Sequence, residues 1–190
     1  QQREAVKIVR SDMRELSSLV SKSLRDRGIE TVTFPPSDWA KNTGDSFEGD
    51  VSIFDSFPTN VVPITFGDVV HVDGGAEFGI LSGDDLMARI SIEIPSVTHC
   101  VFLLGDAEGM MDKPPHLEGS KLIKLWKSGE IVETEHNSEQ DVTGGIELKA
   151  ERASHISKKV EEVWFINGNC PERLSELLTD GTTIGTKIVS

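Results

Sequence analysis

Short apolar runs separated by helical patterns constrain this chain more than any other feature. Residues 61–66 (VVPITF), 97–104 (VTHCVFLL) and 163–166 (VWFI) are nearly continuous in apolar side chains. A strand with one wet face alternates apolar and polar residues. A continuous run instead suits a strand buried on both faces, as in a parallel sheet covered by helices. Between the runs, apolar residues recur at spacings of three and four. Val6, Val9, Met13, Leu16, Val20 and Leu24 form one such stripe over residues 3–27, with charged residues opposite and Gly28 as the stop. Ile146, Ala150, Ala153, Ile156 and Val160 form another. This alternation predicts an α/β fold with a largely parallel sheet covered on both faces.

Turn and cap residues mark the boundaries. Residues 30–34 (ETVTF) predict a strand ended by Pro35-Pro36. Asp73-Gly74-Gly75 between residues 69–72 and 78–81 predicts a hairpin. Ser82 and Asp85 have capping-box spacing at the head of a helix running to about Ile94. Pro171 suits the first turn of a helix through Leu178, and residues 184–189 read as the last strand. Residues 36–60 mix Ser, Asp, Asn, Gly and Pro with Phe and Trp39, which describes either a lid over a ligand or a hairpin with aromatic anchors. The second is preferred. Residues 121–126 form a short element of undecided type, and 128–140 a polar surface excursion.

Charge narrows the partners. The chain has 190 residues and a formal net charge of −13, so phosphate backbones and anionic membrane surfaces are repelled. A pocket lined by N–H groups or a few lysines can still take a small phosphate compound. Cys100 and Cys170 stand far apart with no paired spacing, which fits two incidental thiols in a reducing cytoplasm. No apolar run reaches membrane-spanning length.

One stretch carries its own chemistry. In residues 141–149 (DVTGGIELK), Gly144-Gly145 open an amphipathic helix and Lys149 follows about one turn in. Free N–H groups and the helix dipole favour an anion there, and glycine lets it approach the backbone. A loop that merely turns at two glycines is the plainer reading. Gly67-Asp68 follows the run at 61–66, and a glycine-bounded acidic loop, Gly105-Asp106-Ala107-Glu108-Gly109, follows 97–104 at a strand's C-terminal end. Ligands in open α/β sheets bind at such strand ends.

Six motifs occur in one order: PITFGDVV (63–70), GILSGDD (79–85), GDAEG (105–109), DVTGG with Lys149, INGNCPERL (166–174) and IGTKI (184–188). Together they resemble the amino acid kinase superfamily, most closely its isopentenyl phosphate kinase family, across essentially all of the chain. The resemblance implies a three-layer αβα sandwich with a mainly parallel central sheet. It implies ATP-dependent phosphorylation of isopentenyl phosphate to isopentenyl diphosphate, an isoprenoid precursor, in the cytoplasm. By the same resemblance, Gly83 binds the phosphorylated substrate and Asp84 organises the catalytic lysines. Asp106, Gly109, Gly144, Gly145 and Lys149 hold ATP, with Lys149 also stabilising charge on the transferred group. Mg2+ bridges the nucleotide phosphates with few protein ligands, its waters touching Asp106 or Glu108. Residues 1–95 form the acceptor side and 96–190 the nucleotide side of a single domain. Family members are often homodimers.

The chain also departs from the pattern. The usual Thr-Asp-Val-Asp-Gly is GDAEG here, and Met111 replaces the tyrosine that often follows. The family begins with a lysine–Gly-Gly-Ser loop and a second glycine-rich loop with a substrate-contacting histidine, which this chain does not contain. The expectation is therefore an N-terminally truncated kinase, inactive and poorly stable alone because its sheet lacks central strands. His71, His99, His116, His136 and His155 match no family motif and read as surface or structural. Two alternatives remain open: a kinase of the superfamily with a phosphonate or amino acid acceptor, and a non-catalytic nucleotide-binding relative.

Overall fold

The computed structural model describes residues 2–105, 107–127 and 145–190. They form two compact units, Gln1–Ser96 and Val97–Ser190.

The first unit opens with helix α1, Gln2–Arg25. It packs against strands β1 (Glu30–Thr33) and β5 (Asp68–His71). The buried face runs through Val6, Ser17 and Ser21, with Arg10, Met13 and Leu24 half-buried. This corrects the expected stripe. Val9, Leu16 and Val20 are exposed, as are Ile8 and Leu19. The small serines let the helix approach the strands, and Arg10 lays its Nε on the Val69 carbonyl oxygen at 2.9 Å. A second arginine, Arg14, pairs with Asp38 at 3.1 Å.

β1 pairs in parallel with β4 (Val61–Ile64), Glu30 opposite Val61 and Thr33 opposite Ile64. The run at 61–66 was expected to be buried on both faces. In this two-stranded ribbon Val62 is exposed and its neighbours are only half-buried. Pro63, which cannot donate a ladder hydrogen bond, sits where such a strand tolerates it.

A four-stranded sheet follows in the order β3-β2-β5-β6, where β2 is Ala40–Lys41, β3 is Glu48–Gly49 and β6 is Phe78–Leu81. β5 and β6 are the expected antiparallel hairpin, turning through Gly74 at φ 117°. Residues 36–60 are built on aromatic anchors. Trp39 lies edge-to-face on Phe47 (6.0 Å) and Phe54 (5.4 Å), and Phe34 does the same on Phe54 (5.2 Å) and Phe57 (6.0 Å). Helix α2 (Pro36–Trp39) starts this segment, and helix α3 (Gly83–Glu93) closes it. From α3, Arg89 donates to the carbonyl oxygens of Phe47 (2.5 Å) and Gly49 (3.3 Å), with its guanidinium 4.3 Å from the Phe47 ring centre.

The second unit contains a sheet in the order β7-β9-β10-β8, formed by β7 (His99–Leu104), β8 (Leu125–Lys127), β9 (Glu162–Asn167) and β10 (Thr186–Val189). β7 runs parallel to β9 and β8 parallel to β10, while β9 and β10 are antiparallel. Helix α4 (Gly145–Ser157) packs on β9 and β10. Helix α5 (Glu172–Asp180) brings Leu177 against Trp164 and Ile166. β9 is consequently buried on both faces from Val163 to Ile166, as its unbroken apolar run predicts. Of the expected stripe, Ala150, Ala153 and Ile156 are buried on α4 and Ile146 is half-buried, while Val160 is buried beyond the end of the helix. The excursion at 128–140 lies outside the described residues.

Candidate active site

In the first unit, the β5–β6 hairpin brings the Gly67-Asp68 corner back to the head of α3. A Cβ added at Gly67 would lie 3.4 Å from the Gly83 nitrogen and 3.4 Å from the Leu81 carbonyl oxygen, so the Gly67-Asp68 corner rests on the head of α3. Asp68 is 2% exposed. Its carboxylate accepts the backbone N–H of Ser37 (3.0 Å) and of Val69 (2.8 Å). It therefore works as an internal brace that stops the start of α2, rather than as a group offered to a ligand. Ser82 caps α3 as its spacing predicts. Its hydroxyl accepts the Asp85 N–H at 3.1 Å and donates to the Asp85 carboxylate at 2.9 Å. Gly83 and Asp84 form the first turn of α3, where backbone N–H groups lack helical acceptors. Asp84 is buried. At Gly83, nothing among the described residues lies within 4 Å of where a Cβ would stand. A phosphate oxygen can therefore reach the backbone there.

In the second unit, Gly145 is the first residue of α4 and Lys149 stands one turn along it, half-buried. Asp106 and Gly144 lie outside the described residues. The rest of the loop after β7 is held from several sides. The side-chain amide of Asn169 donates to the Gly105 carbonyl oxygen at 2.5 Å, and the Gly168 N–H donates to that of Leu104 at 2.7 Å. The Glu108 carboxylate receives Arg173 Nε (3.2 Å) and Asn167 Nδ2 (3.3 Å). Both Glu108 oxygens are thus engaged by protein donors. The Met110 N–H donates to the Thr186 hydroxyl at 2.8 Å, and that hydroxyl donates to the Ile123 carbonyl oxygen at 2.5 Å.

Gly109 thus needs to be glycine for packing, because a Cβ would come within 2.5 Å of Thr186 Oγ1. Arg173 joins Glu108 to Glu176, whose carboxylate also takes the Thr183 hydroxyl at 2.6 Å. The Glu108 carboxylate raises the Arg173 pKa further above its ordinary value. The Thr183 hydrogen bond, with help from Arg173, lowers that of Glu176. The sequence reads Asn167 and Asn169 only as a turn and gives Arg173 and Thr186 no role, although all four lie inside the INGNCPERL and IGTKI motifs. Their side chains support a loop some sixty residues earlier or more, and only the fold reveals that partnership.

The isopentenyl phosphate kinase of Thermoplasma acidophilum is 30% identical over 182 residues, which cover 95% of this chain and 71% of that enzyme. The chain belongs to the isopentenyl phosphate kinase family. It is accordingly a phosphotransferase of the kinase type.

Two further relatives of the same name agree. That of Methanothermobacter thermautotrophicus is 26% identical over 181 residues (93% of this chain, 67% of the enzyme). That of Methanocaldococcus jannaschii is 26% identical over 182 residues (93% and 64%). The chain therefore spans about two thirds of the length of these family members. No protein-family profile matches it.

Solved structures give the same family. The Thermoplasma acidophilum enzyme in a product complex has a TM-score of 0.76 at 26% identity, covering 98% of this chain and 71% of its own. An isopentenyl phosphate kinase substrate complex has a TM-score of 0.77 at 25% identity with the same coverage. The fold is thus the amino acid kinase α/β fold. Among the described residues no helix is long and apolar enough to cross a membrane.

Proposed function

We propose that this family member transfers the terminal phosphoryl group of ATP to isopentenyl phosphate, giving isopentenyl diphosphate. The observation that carries the reading is the 30% identity to an isopentenyl phosphate kinase over 95% of the chain. The geometry is compatible with it. Phosphoryl transfer asks a protein for positioning and for neutralisation of spreading negative charge more than for covalent chemistry.

In this reading Gly83 receives the phosphate of the acceptor against the N–H groups that open α3. Asp84, beside it, orients the cationic groups of the site by ion pairing, since an ordinary carboxylate is a weak base at neutral pH. Gly144, Gly145 and the start of α4 take the nucleotide phosphates, and Lys149 stabilises charge on the transferred group. Asp106 and Gly109 belong to the loop that lies along the nucleotide, Gly109 by shaping its backbone. Residues 1–95 would then serve the acceptor and 96–190 the nucleotide. Mg2+ would arrive with ATP and neutralise its phosphates, held mainly by their oxygens. Among the described residues no group of three or more His, Cys, Asp or Glu is arranged to hold an ion. The reaction is placed in the cytoplasm, and a homodimer is the expected assembly.

The test is an ATP-dependent phosphorylation assay with isopentenyl phosphate as acceptor and Lys149→Ala as control. Turnover that falls by about 10²-fold or more in the variant supports both the reaction and the role of Lys149. ATP binding with no transfer to isopentenyl phosphate, but with transfer to a carboxylate or phosphonate acceptor, would replace the acceptor. Binding with no transfer to any acceptor would favour a non-catalytic relative.

A further inference from the structure

The Glu108–Arg173 ion pair supports the loop after β7, and neither the packing of the sheet nor the capping of a helix explains it. Arg173 lies in the first turn of α5, where the helix dipole disfavours a cation. Its place there is compensated by two carboxylates. Nε meets Glu108 at 3.2 Å and Nη1 meets Glu176 at 3.4 Å. Glu108 is fixed on its other oxygen by Asn167 Nδ2 at 3.3 Å. Glu176 is fixed in turn by the Thr183 hydroxyl at 2.6 Å. Both members of the pair are partly open to solvent, with side-chain exposures of 20% for Arg173 and 38% for Glu108.

That exposure limits the pair's contribution to overall stability, because ion pairs in contact with water contribute little to folding. Asn169 on Gly105 and Thr186 on Met110 also hold the same loop without it. The pair's effect is therefore local, falling on the backbone from Ala107 to Met110. The glutamate side chain, one methylene longer than an aspartate, has the reach to meet Arg173 on α5.

We propose that Glu108 and Arg173 are a positioning pair: they hold the loop backbone after β7 in the form that receives the nucleotide, and neither touches substrate. This rests on the reading that the loop lies along ATP. The pair acts through loop order, so its loss weakens nucleotide binding while leaving the chemical step and the acceptor site as they are.

The test is a double-mutant cycle on the whole protein with Glu108→Gln, Arg173→Gln and the two combined, plus Arg173→Lys. The readouts are amide hydrogen exchange at 107–110 without ligand, Kd for ATP, KM for each substrate, kcat and Tm. Each single Gln variant is expected to speed exchange at 107–110 and to raise Kd and KM for the nucleotide about two- to fivefold. Acceptor KM, kcat and Tm should stay near wild type, and the combined variant should be no worse than either single one. Arg173→Lys, which keeps the charge but loses the fork, should fall between.

Unchanged exchange and unchanged ATP affinity in the single variants overturn the proposal. So do effects that simply add in the double variant, or a loss confined to kcat. If the wild-type protein binds no ATP, the functional reading itself fails. If it binds ATP and the variants bind it equally well, only the pair's role fails.

Discussion

Gly109 and Thr186 leave no room for a side chain between them. A Cβ at Gly109 would stand 2.5 Å from Thr186 Oγ1 and 2.9 Å from its backbone nitrogen. Thr186 is fully buried and cannot yield, since its hydroxyl already joins the Met110 N–H to the Ile123 carbonyl oxygen. The last strand and the loop after β7 are thus locked as one piece.

Gly109→Ala should therefore overpack this contact and lower the free energy of unfolding by about 1–3 kcal/mol. Denaturant titration measures it, with the m-value as a check that the unfolded state is unchanged. A loss below about 0.5 kcal/mol would mean that the loop moves aside freely, and that the contact does not fix it.

Thr186→Val keeps the shape of the side chain and removes its hydroxyl. The Met110 N–H and the Ile123 carbonyl oxygen would then lose a partner in the interior, at a cost of about 1–3 kcal/mol. The effect should exceed that of an exposed Thr→Val change such as Thr179→Val, and a thermal melt of both variants compares them directly. Equal Tm values would show that water replaces the hydroxyl without penalty.

How far the sequence reaches is best judged element by element. Capping and turn chemistry transferred well at Ser82 and at Asp73-Gly74-Gly75, because those signals act within a few residues of themselves. The run at 163–166 was also legible, since burial on both faces leaves no polar position in a strand. The same logic failed at 61–66, and in β7, where His99 and Leu103 are exposed. An apolar run states that a strand can be buried, and β4 has only β1 beside it among the described strands. In α1 the periodicity gave the helix but misplaced its face. The helix has apolar residues on two sides, and the strands take the side where Ser17 and Ser21 permit close approach. Within the candidate site, the places of Gly83 and Asp84 at the head of α3 and of Gly145 and Lys149 on α4 were legible from cap and glycine signals. The roles of Asn167, Asn169, Arg173 and Thr186 were not, because each holds a distant backbone.

Arg89 provides a separate test in the first unit. Its guanidinium joins the carbonyl oxygens of Phe47 and Gly49 while lying on the Phe47 ring and pairing with Glu93 at 2.6 Å. A lysine has one point charge and cannot make that set of contacts at once. Arg89→Lys should lower stability by about 1–2 kcal/mol. Limited proteolysis should then cut within residues 40–55 sooner than in wild type. An unchanged digestion pattern would mean that the aromatic anchors alone hold the segment.

Glu162 links stability to pH in the second unit. Burial pushes its pKa up, but hydrogen bonds from Lys187 (2.6 Å) and the Trp164 indole (2.7 Å), with the lysine's charge, outweigh that and hold it below the ordinary 4.5. A carboxylate whose pKa is lower in the folded protein releases its proton more readily there, so its ionised form favours folding. The contribution is complete above the unfolded-state value, shrinks as the pH falls below about 4.5, and is gone once the pH has passed the folded-state value. Glu162→Gln keeps the shape and one acceptor oxygen but cannot ionise. Wild type should therefore be the more stable of the two at neutral pH, and the gap should close on acidification. A gap of the same size at about pH 3 and at neutral pH would show that packing, rather than the charge held between Lys187 and Trp164, makes the difference.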